Sequence, residues 1–297
     1  MSQLIWNGLF VGSFYALVAL GYSMVYGIIK LLNFAHGDLY MLGAFVGFGV
    51  LTVAGGLATS MGFIALLVVL VISMLATGTA GLLLERVAYR PLRNAPRLSV
   101  LITAVGASFA LEYGMRLVAG PDPEVYPVRL SGNPIHVLGA RITLEQVGLI
   151  AIAVLLMAAL QWLVMGTGTG RAMRAISQDA KAALYMGINV DAVIARTFFI
   201  GSALAGAAGV MAGGYYGKID FLMGFIIGLK AFTAAVIGGI GNIKGAMLGG
   251  LALGLLESFG TAWLGGEWRD VFAFGFLILF LTLRPTGILG ERVTERV

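Results

Sequence analysis

The stretch MGFIALLVVLVISMLATGTAGLLL, residues 61–84, contains no charged residue and is long enough to cross a bilayer as one helix. Similar apolar stretches occur along the whole chain. They lie at about 4–29, 38–55, 98–118, 144–165, 197–217, 221–241, 245–264 and 270–283. The pattern predicts an all-α, polytopic helical membrane protein with about eight or nine hydrophobic segments, some of them broken or re-entrant.

The composition supports this fold class. Of 297 residues, 59% are hydrophobic and 11% are charged, and mean hydropathy is +0.96, which excludes a soluble core of this size. The 44 glycines suit close helix packing in lipid. The chain has no cysteine, which excludes disulfides and thiolate chemistry, and its net charge of +5 comes from loops beside spans. We therefore expect a lipid bilayer around the chain and no nucleic-acid partner.

The basic residues predict which loops face the cytoplasm. The segment Arg86–Arg97 has four arginines and no acid, and Gly166–Arg196 is also basic, so both are expected inside. The loop at about 120–142, which contains four prolines, is then external, and the tail from Arg284 is inside. The N-terminal apolar stretch lacks a basic n-region and a cleavage site, so it is interpreted as the first span. We expect one transmembrane domain over residues 1–297, with a cytoplasmic loop at about 166–196.

The segment GRAMRAISQDAKAALYMGINV, residues 170–190, is polar in an otherwise apolar chain. From Arg171 to Met186 apolar residues recur at helical spacing, and Gly187 stands where a helix would end. Asp191 is interpreted as the N-cap of the next span. The pattern predicts one amphipathic helix across a loop, the form of a coupling helix on which a motor subunit acts. Its expected contact residues are Arg171, Arg174, Gln178, Ala180, Lys181 and Gly187.

No catalytic or metal-binding constellation is present in the sequence. The two histidines, His36 and His136, are far apart and neither belongs to an HExxH motif. The run GTGTG at 166–170 lacks the GK[ST] ending of a phosphate-binding loop. We expect a chain without enzymatic activity, catalytic residues, bound metal or bound cofactor. Any energy from ATP must come from partner subunits.

A second polar segment, residues 31–45 (LLNFAHGDLYMLGAF), interrupts the apolar pattern. One interpretation is a broken helix that lines a translocation path, because polar groups in hydrocarbon are costly unless they line a cavity or bind each other. The other is that Asp38 caps a span at the cytoplasmic surface and His36 is solvated. The candidate path residues are Asn33, Phe34, His36, Gly37 and Asp38.

Four further features are interpreted structurally. Glu112 and Arg116 stand four residues apart and predict a local ion pair. Lys230 and Glu257 each lie in an apolar segment and predict a buried pair between helices, with a gating role as the alternative. Small residues repeat every four positions over 201–213 and predict a helix-packing seam, and GGIGNIKG at 238–245 predicts a tight turn.

The segments LNFAHGDLYMLGAF (32–45), GRAMRAISQDAKAALYMGINV (170–190) and AFTAAVIGGIGNIKGAMLGGLALGLLE (231–257) resemble the permease subunits of ABC importers for branched-chain amino acids, in particular the H-type member of the permease pair. The resemblance implies a type II-like permease in the bacterial inner membrane. It also implies an M-type permease, two cytoplasmic ATPase subunits and a periplasmic binding protein that delivers leucine, isoleucine or valine. Residues 170–190 would dock on an ATPase subunit.

Two alternatives to this function stay open at the level of sequence. Relatives of the same architecture carry urea or short amides. An ion-coupled secondary transporter would need carboxylates inside the membrane, and Asp38, Glu112 and Glu257 are the candidates.

Overall fold

The computed structural model describes residues 1–55, 63–93, 95–127, 134–137, 139–284 and 286–290. These residues are almost entirely helical. The helices are α1 (Ser2–Ile29), α2 (His36–Ala54), α3 (Phe63–Leu84), α4 (Arg97–Ala119), α5 (Leu144–Gly166), α6 (Gly168–Gln178), α7 (Ala180–Tyr185), α8 (Val190–Tyr216), α9 (Met223–Gly238), α10 (Ile243–Leu264) and α11 (Arg269–Leu283).

Short irregular elements connect these helices. The end of α3 continues into a π-helical turn and a 3₁₀ turn, and another 3₁₀ turn precedes α11. Two small antiparallel sheets, β1 with β4 and β2 with β3, lie between the spans. The bounds are Glu85–Tyr89 for the π turn, Arg90–Leu92 and Gly266–Trp268 for the 3₁₀ turns, and Glu124–Val125, Ile135–Val137, Ala140–Ile142 and Lys218–Ile219 for β1 to β4.

The predicted polytopic helical fold is confirmed. Within the described ranges, seven helices are long and apolar enough to cross a membrane. Helix α9 has 16 residues and α11 has 15. Both are shorter than the roughly 20 residues that a straight span needs, so the nine apolar stretches do not all become full-length spans.

Helix α1 is the centre of the bundle, and 94% of its apolar 18-residue stretch is buried. It packs against α10 through glycines. A Cβ atom added to Gly250 would lie 2.4 Å from the Cα of Ala16, and one added to Gly254 would lie 2.3 Å from the Cα of Gly12. At this separation the two backbones touch, which is how helices in lipid gain dispersion energy when no hydrophobic force drives them together.

Helix α8 carries the predicted small-residue seam, and its glycines confirm it. Gly201 faces Gly21 of α1, and a Cβ on Gly209 would lie 2.1 Å from the carbonyl oxygen of Tyr40 in α2. Gly213 lies against the ring of Tyr126. The seam therefore holds α8 against three different parts of the molecule.

The bundle has two ends. One end, which we call the coupling end after the coupling helix predicted there, contains the last turn of α1, residues 166–190 and the turn at 239–242. At this turn Asn242 caps α10 by accepting a hydrogen bond from the amide of Gly245 (3.0 Å). The predicted turn in GGIGNIKG is confirmed, since Gly239 and Gly241 have φ of 103° and 92°. Residues 286–290 return to this end, where the amide of Ile288 donates to the carbonyl of Ile237 (2.8 Å). The opposite, outer end contains the first turn of α1 and the strands.

Replacing Gly250 by Ala tests the α1–α10 contact. The new methyl group would meet the backbone of Ala16, so we expect a loss of about 1–3 kcal/mol of stability, the usual cost of overpacking. Gly106 is the matched control, because nothing lies within 4 Å of its added Cβ on the exposed face of α4. Gly106→Ala should be neutral or slightly stabilising. Thermal unfolding of the purified protein measures both; equal effects of the two changes would contradict the seam.

Candidate functional site

The polar segment at 30–38 turns back into the bundle. Helix α1 ends at Lys30, which has a left-handed φ of 55°, and α2 begins at His36. The His36 ring lies against Gly21, where an added Cβ would be 2.2 Å from Nε2. Gly21 stands eight residues before the end of α1, about 12 Å along its axis at 1.5 Å per residue. Helix α2 therefore begins inside the bundle, and residues 30–38 form what we call the polar break.

The start of α2 is packed closely on all sides. The rings of His36 and Tyr22 are 4.7 Å apart in an edge-to-face arrangement. A Cβ on Gly37 would lie 2.3 Å from the carbonyl oxygen of Gly224 and 2.6 Å from the Cα of Gly228. Helix α9 can reach the break only because these three positions have no side chain.

Polar side chains of the break bind groups from neighbouring elements. The Tyr89 hydroxyl donates to Oδ1 of Asn33 (2.8 Å), and the Ser108 hydroxyl donates to Oδ2 of Asp38 (2.5 Å). Asn33, His36 and Asp38 are at most 2% exposed, whereas Phe34 is half-buried. The interpretation with a surface cap and a solvated histidine is therefore wrong. Ala35 is the N-cap of α2, and Asp38 lies within its first turn.

The predicted Glu112–Arg116 ion pair is also wrong. Glu112 is 2% exposed and its carboxyl lies beside that of Asp38. The guanidinium of Arg116 instead stands over the ring of Phe221, 5.5 Å from its centroid. Spacing of four residues permitted the pair, but the face of α4 that meets α2 points Glu112 toward the interior of the bundle.

Nδ2 of Asn33 is buried and has no hydrogen-bond partner among the described residues. One ring nitrogen of His36 faces the Val18 backbone, which leaves the other without a partner, and the carboxyls of Asp38 and Glu112 face each other. An unpartnered buried atom costs free energy in an apolar environment, and a water molecule or a substrate can satisfy it.

The segment 168–190 forms two helices rather than the single helix predicted. Asp179 ends α6 with extended backbone angles and caps α7, accepting from the amides of Lys181 (2.8 Å) and Ala182 (3.0 Å). An aspartate side chain can accept hydrogen bonds from the amides of the next residues in place of the helical carbonyls, and here this competition interrupts the helix. Gly187 then has φ of 83°, as expected where a helix ends.

Most of the predicted contact residues in this segment are exposed, but one is not. Arg174 is half-buried and donates to the carbonyl oxygen of Val164, so it fastens α6 to α5. Met173 and Ile176 bury the inner face of α6. The exposed members are Arg171, Gln178, Ala180, Lys181 and Gly187.

The sequence reasoning missed one further feature of this segment. Leu184, Tyr185 and Met186 are 59%, 87% and 83% exposed, an apolar patch outside the membrane spans. These residues lie at the end of α7 and just after it, beyond the break at Asp179. The helical spacing of apolar residues in the sequence did not reveal their exposure.

The predicted N-cap at Asp191 is wrong. Asn189 caps α8, accepting from the amide of Ala192 (3.0 Å). Asp191 instead binds two arginines of the α3–α4 connection, Arg90 and Arg93, the latter at 2.5 Å, and Arg93 also pairs with Glu85. The only sequence signal for this contact was a single aspartate in the second of two basic loops.

At the outer end, Lys230 and Glu257 lie together, with Nζ 2.7 Å from Oε1. They belong to a larger network that the sequence reasoning missed. Arg269 donates from Nε to Oε2 of Glu257 (2.7 Å), and Asp270 lies 2.6 Å from Lys230. Arg269 and Asp270 are the first two residues of α11, and their adjacent opposite charges at the start of an apolar stretch were the sequence signal for this network.

No group of three or more histidine, cysteine, aspartate or glutamate residues that could hold a metal occurs in the parts of the chain that the structure covers. The geometry offers instead a buried polar break, an exposed segment at the coupling end and a network of charged side chains at the outer end.

Comparison with known proteins identifies the family. The family model described as "Branched-chain amino acid transport system / permease component" matches residues 4–281. The permease protein BraD of the high-affinity branched-chain amino acid transport system of Pseudomonas aeruginosa is 44% identical, over 100% of this chain and 98% of its own. The corresponding Escherichia coli protein LivH is 43% identical, over 99% of this chain and 97% of its own.

A probable branched-chain amino acid transport permease of Methanocaldococcus jannaschii is 27% identical over 92% of this chain and 88% of its own. No solved structure matches the chain. The described residues contain seven helices long enough to cross a membrane, and the full-length relatives are permeases. The protein is therefore a multi-pass inner-membrane protein. The chain belongs to the family of permease components of branched-chain amino acid transport systems.

Proposed function

We propose that this chain is the H-type permease subunit of an ATP-driven ABC importer for leucine, isoleucine and valine. It forms the translocation path with a second, M-type permease, receives substrate from a periplasmic binding protein and is driven by two cytoplasmic ATPase subunits. The chain itself hydrolyses no ATP and binds no cofactor. One observation carries the proposal: the exposed apolar patch on a short polar segment at the coupling end.

The patch of Leu184, Tyr185 and Met186 supports docking of a protein. Large apolar side chains on a polar loop cost free energy in water unless a partner covers them. The segment behind the patch is held firmly, by Met173 and Ile176 inside and by the Arg174 bond to α5. A rigid base with an exposed apolar tip transmits force from a docked ATPase subunit to the bundle.

A series of polar contacts joins this segment to the polar break. Asp191, just beyond the segment, binds Arg90 and Arg93 of the α3–α4 connection. In the same connection, Tyr89 donates to Asn33 of the break. A displacement of the docked segment therefore has a direct mechanical route to the start of α2, through elements that are hydrogen-bonded at each step.

The break supports a role in the path itself. Its unpartnered polar atoms lie deep in the bundle, where only a passing substrate or water supplies partners. Asn33 and the amides at the start of α2 offer hydrogen bonds, and Phe34 and Leu39 offer apolar surface. The close contact of Gly37 with Gly224 and Gly228 keeps this route closed in the conformation described.

Tyr185→Asp tests docking. The side chain is 87% exposed, so folding should be unaffected while the apolar contact with an ATPase subunit is lost. We expect leucine uptake and substrate-stimulated ATP hydrolysis to fall at least about tenfold, the effect of losing roughly 1.4 kcal/mol of docking energy. Val125→Asp, at an exposed position of the outer end, is the control. Full activity of Tyr185→Asp in a complex with normal subunit content would refute the docking role.

Cysteine scanning tests the path, because the chain has no cysteine of its own. Cysteines at positions 33–39 should react slowly with a small polar thiol reagent at rest and faster when ATP and loaded binding protein are present. Ser73→Cys is a conservative control at a fully buried position of α3 that should stay inert throughout. If positions 33–39 stay as inert as position 73 in every state, the break does not line the path.

A further inference from the structure

A cavity of about 350 Å³ lies at the outer end of the bundle, between α1, α8, α10 and the start of α11. Its size is at the lower end of the range for small-molecule sites, about 300–1,000 Å³. The residues that matter for recognition are Leu4, Asn7, Val11, Tyr216, Thr261 and Arg269.

Arg269 is the charged group on the cavity wall with unused hydrogen-bonding capacity. Its Nε donates to Glu257, and its Nη2 donates to the hydroxyls of Tyr15 and Tyr216, each at 3.1 Å. These three bonds fix the plane of the guanidinium. Within the described part of the chain its Nη1 has no acceptor, and the side chain is still 32% exposed.

Glu257 is surrounded by three donors or cations. Its carboxylate binds Lys230 (2.7 Å), the Tyr15 hydroxyl (2.7 Å) and Arg269 (2.7 Å), and it is 2% exposed. Lys230 is similarly occupied by Glu257 and Asp270. The cavity wall therefore offers the fixed guanidinium of Arg269, with Nη1 free to donate, and no carboxylate free of a cation. It selects for an anionic group of the ligand rather than for a cationic one.

The remaining lining suits an aliphatic side chain. Leu4, Val11 and Ala262 provide apolar surface, and the Thr261 and Tyr216 hydroxyls lie at the same cavity. An isolated anion would not use this apolar surface. A molecule that combines one carboxylate with a small aliphatic group fits both halves.

An aromatic layer separates the cavity from the rest of α1. Phe10, Phe14 and Tyr215 contact one another, with ring centroids 4.6–6.2 Å apart. His36 and Tyr22 of the polar break lie farther along α1, beyond this layer. These rings therefore lie between the cavity and the polar break along α1.

We propose that this cavity is an outer waiting site that binds a small aliphatic amino acid through its α-carboxylate on Nη1 of Arg269, with the ammonium group toward the open mouth. The identity of the ligand rests on the proposed function. The recognition of a carboxylate rests on the cavity alone.

The test is protection of an introduced cysteine, Ala262→Cys, in the full chain in right-side-out membrane vesicles without ATP. Ala262 is exposed and lines the cavity, so the cysteine should react with a cationic, membrane-impermeant thiol reagent. The probes are L-leucine, 4-methylpentanoate, which lacks the amine, and 3-methylbutylamine, which lacks the carboxylate. Val125→Cys, exposed on β1 away from the cavity, is the control.

We expect L-leucine and 4-methylpentanoate to slow labelling of position 262 saturably, by about tenfold at ten times their Kd, and 3-methylbutylamine to have no effect. Position 125 should label at the same rate throughout. Arg269→Gln should abolish the protection. The analogue series needs no change at Arg269, so it decides the question even if that variant does not fold.

Protection by 3-methylbutylamine equal to that by 4-methylpentanoate, or no protection by either carboxylate, would overturn the proposal. Uptake measured in parallel separates the two claims. Protection without ATP-driven leucine uptake in the complete complex would leave the cavity site standing and remove the proposed function. Leucine uptake without protection of position 262 would remove the cavity site and leave the proposed function standing.

Discussion

The contact on which the rest of the structure depends is the approach of α1 to α10 and α8 at backbone distance. Lipid tails are as apolar as leucine, so helices in a bilayer associate through packing and hydrogen bonds rather than through exclusion of water. Gly12, Gly250 and Gly254 make this packing possible along the outer half of α1. A central helix surrounded in this way gives fixed positions to both the polar break and the outer cavity.

The same packing explains how a polar break is tolerated inside the bundle. An irregular segment at membrane depth is stable only where protein surrounds it. Gly21 makes room for the His36 ring, and α9 covers Gly37 from the other side. The unpartnered polar atoms of the break cost free energy, and the close packing of the rest of the bundle offsets this cost. Polar groups that are kept unpartnered in this way are available for a function.

Much of the fold could be predicted from the sequence, because spans, small-residue seams and glycine turns depend on local composition and period. The apolar stretches, the seam of α8 and the turn at 238–245 are all found where the pattern put them. Contacts between distant segments could not be predicted. The partners of Glu112 and Asp191 depend on helix rotation, and Arg269 joins Glu257 only after two helices have packed.

The π-helical turn at Glu85–Tyr89 sets the directions in which the side chains at the end of α3 and in the following 3₁₀ turn point. A π turn inserts one extra residue into an α-helix, and each residue of an α-helix turns the chain by about 100°. Without the insertion, Arg90 and Arg93 would leave the direction of Asp191, and Tyr89 would leave Asn33. One inserted residue therefore orients Arg90 and Arg93 toward Asp191 and Tyr89 toward the Asn33 amide at the same time.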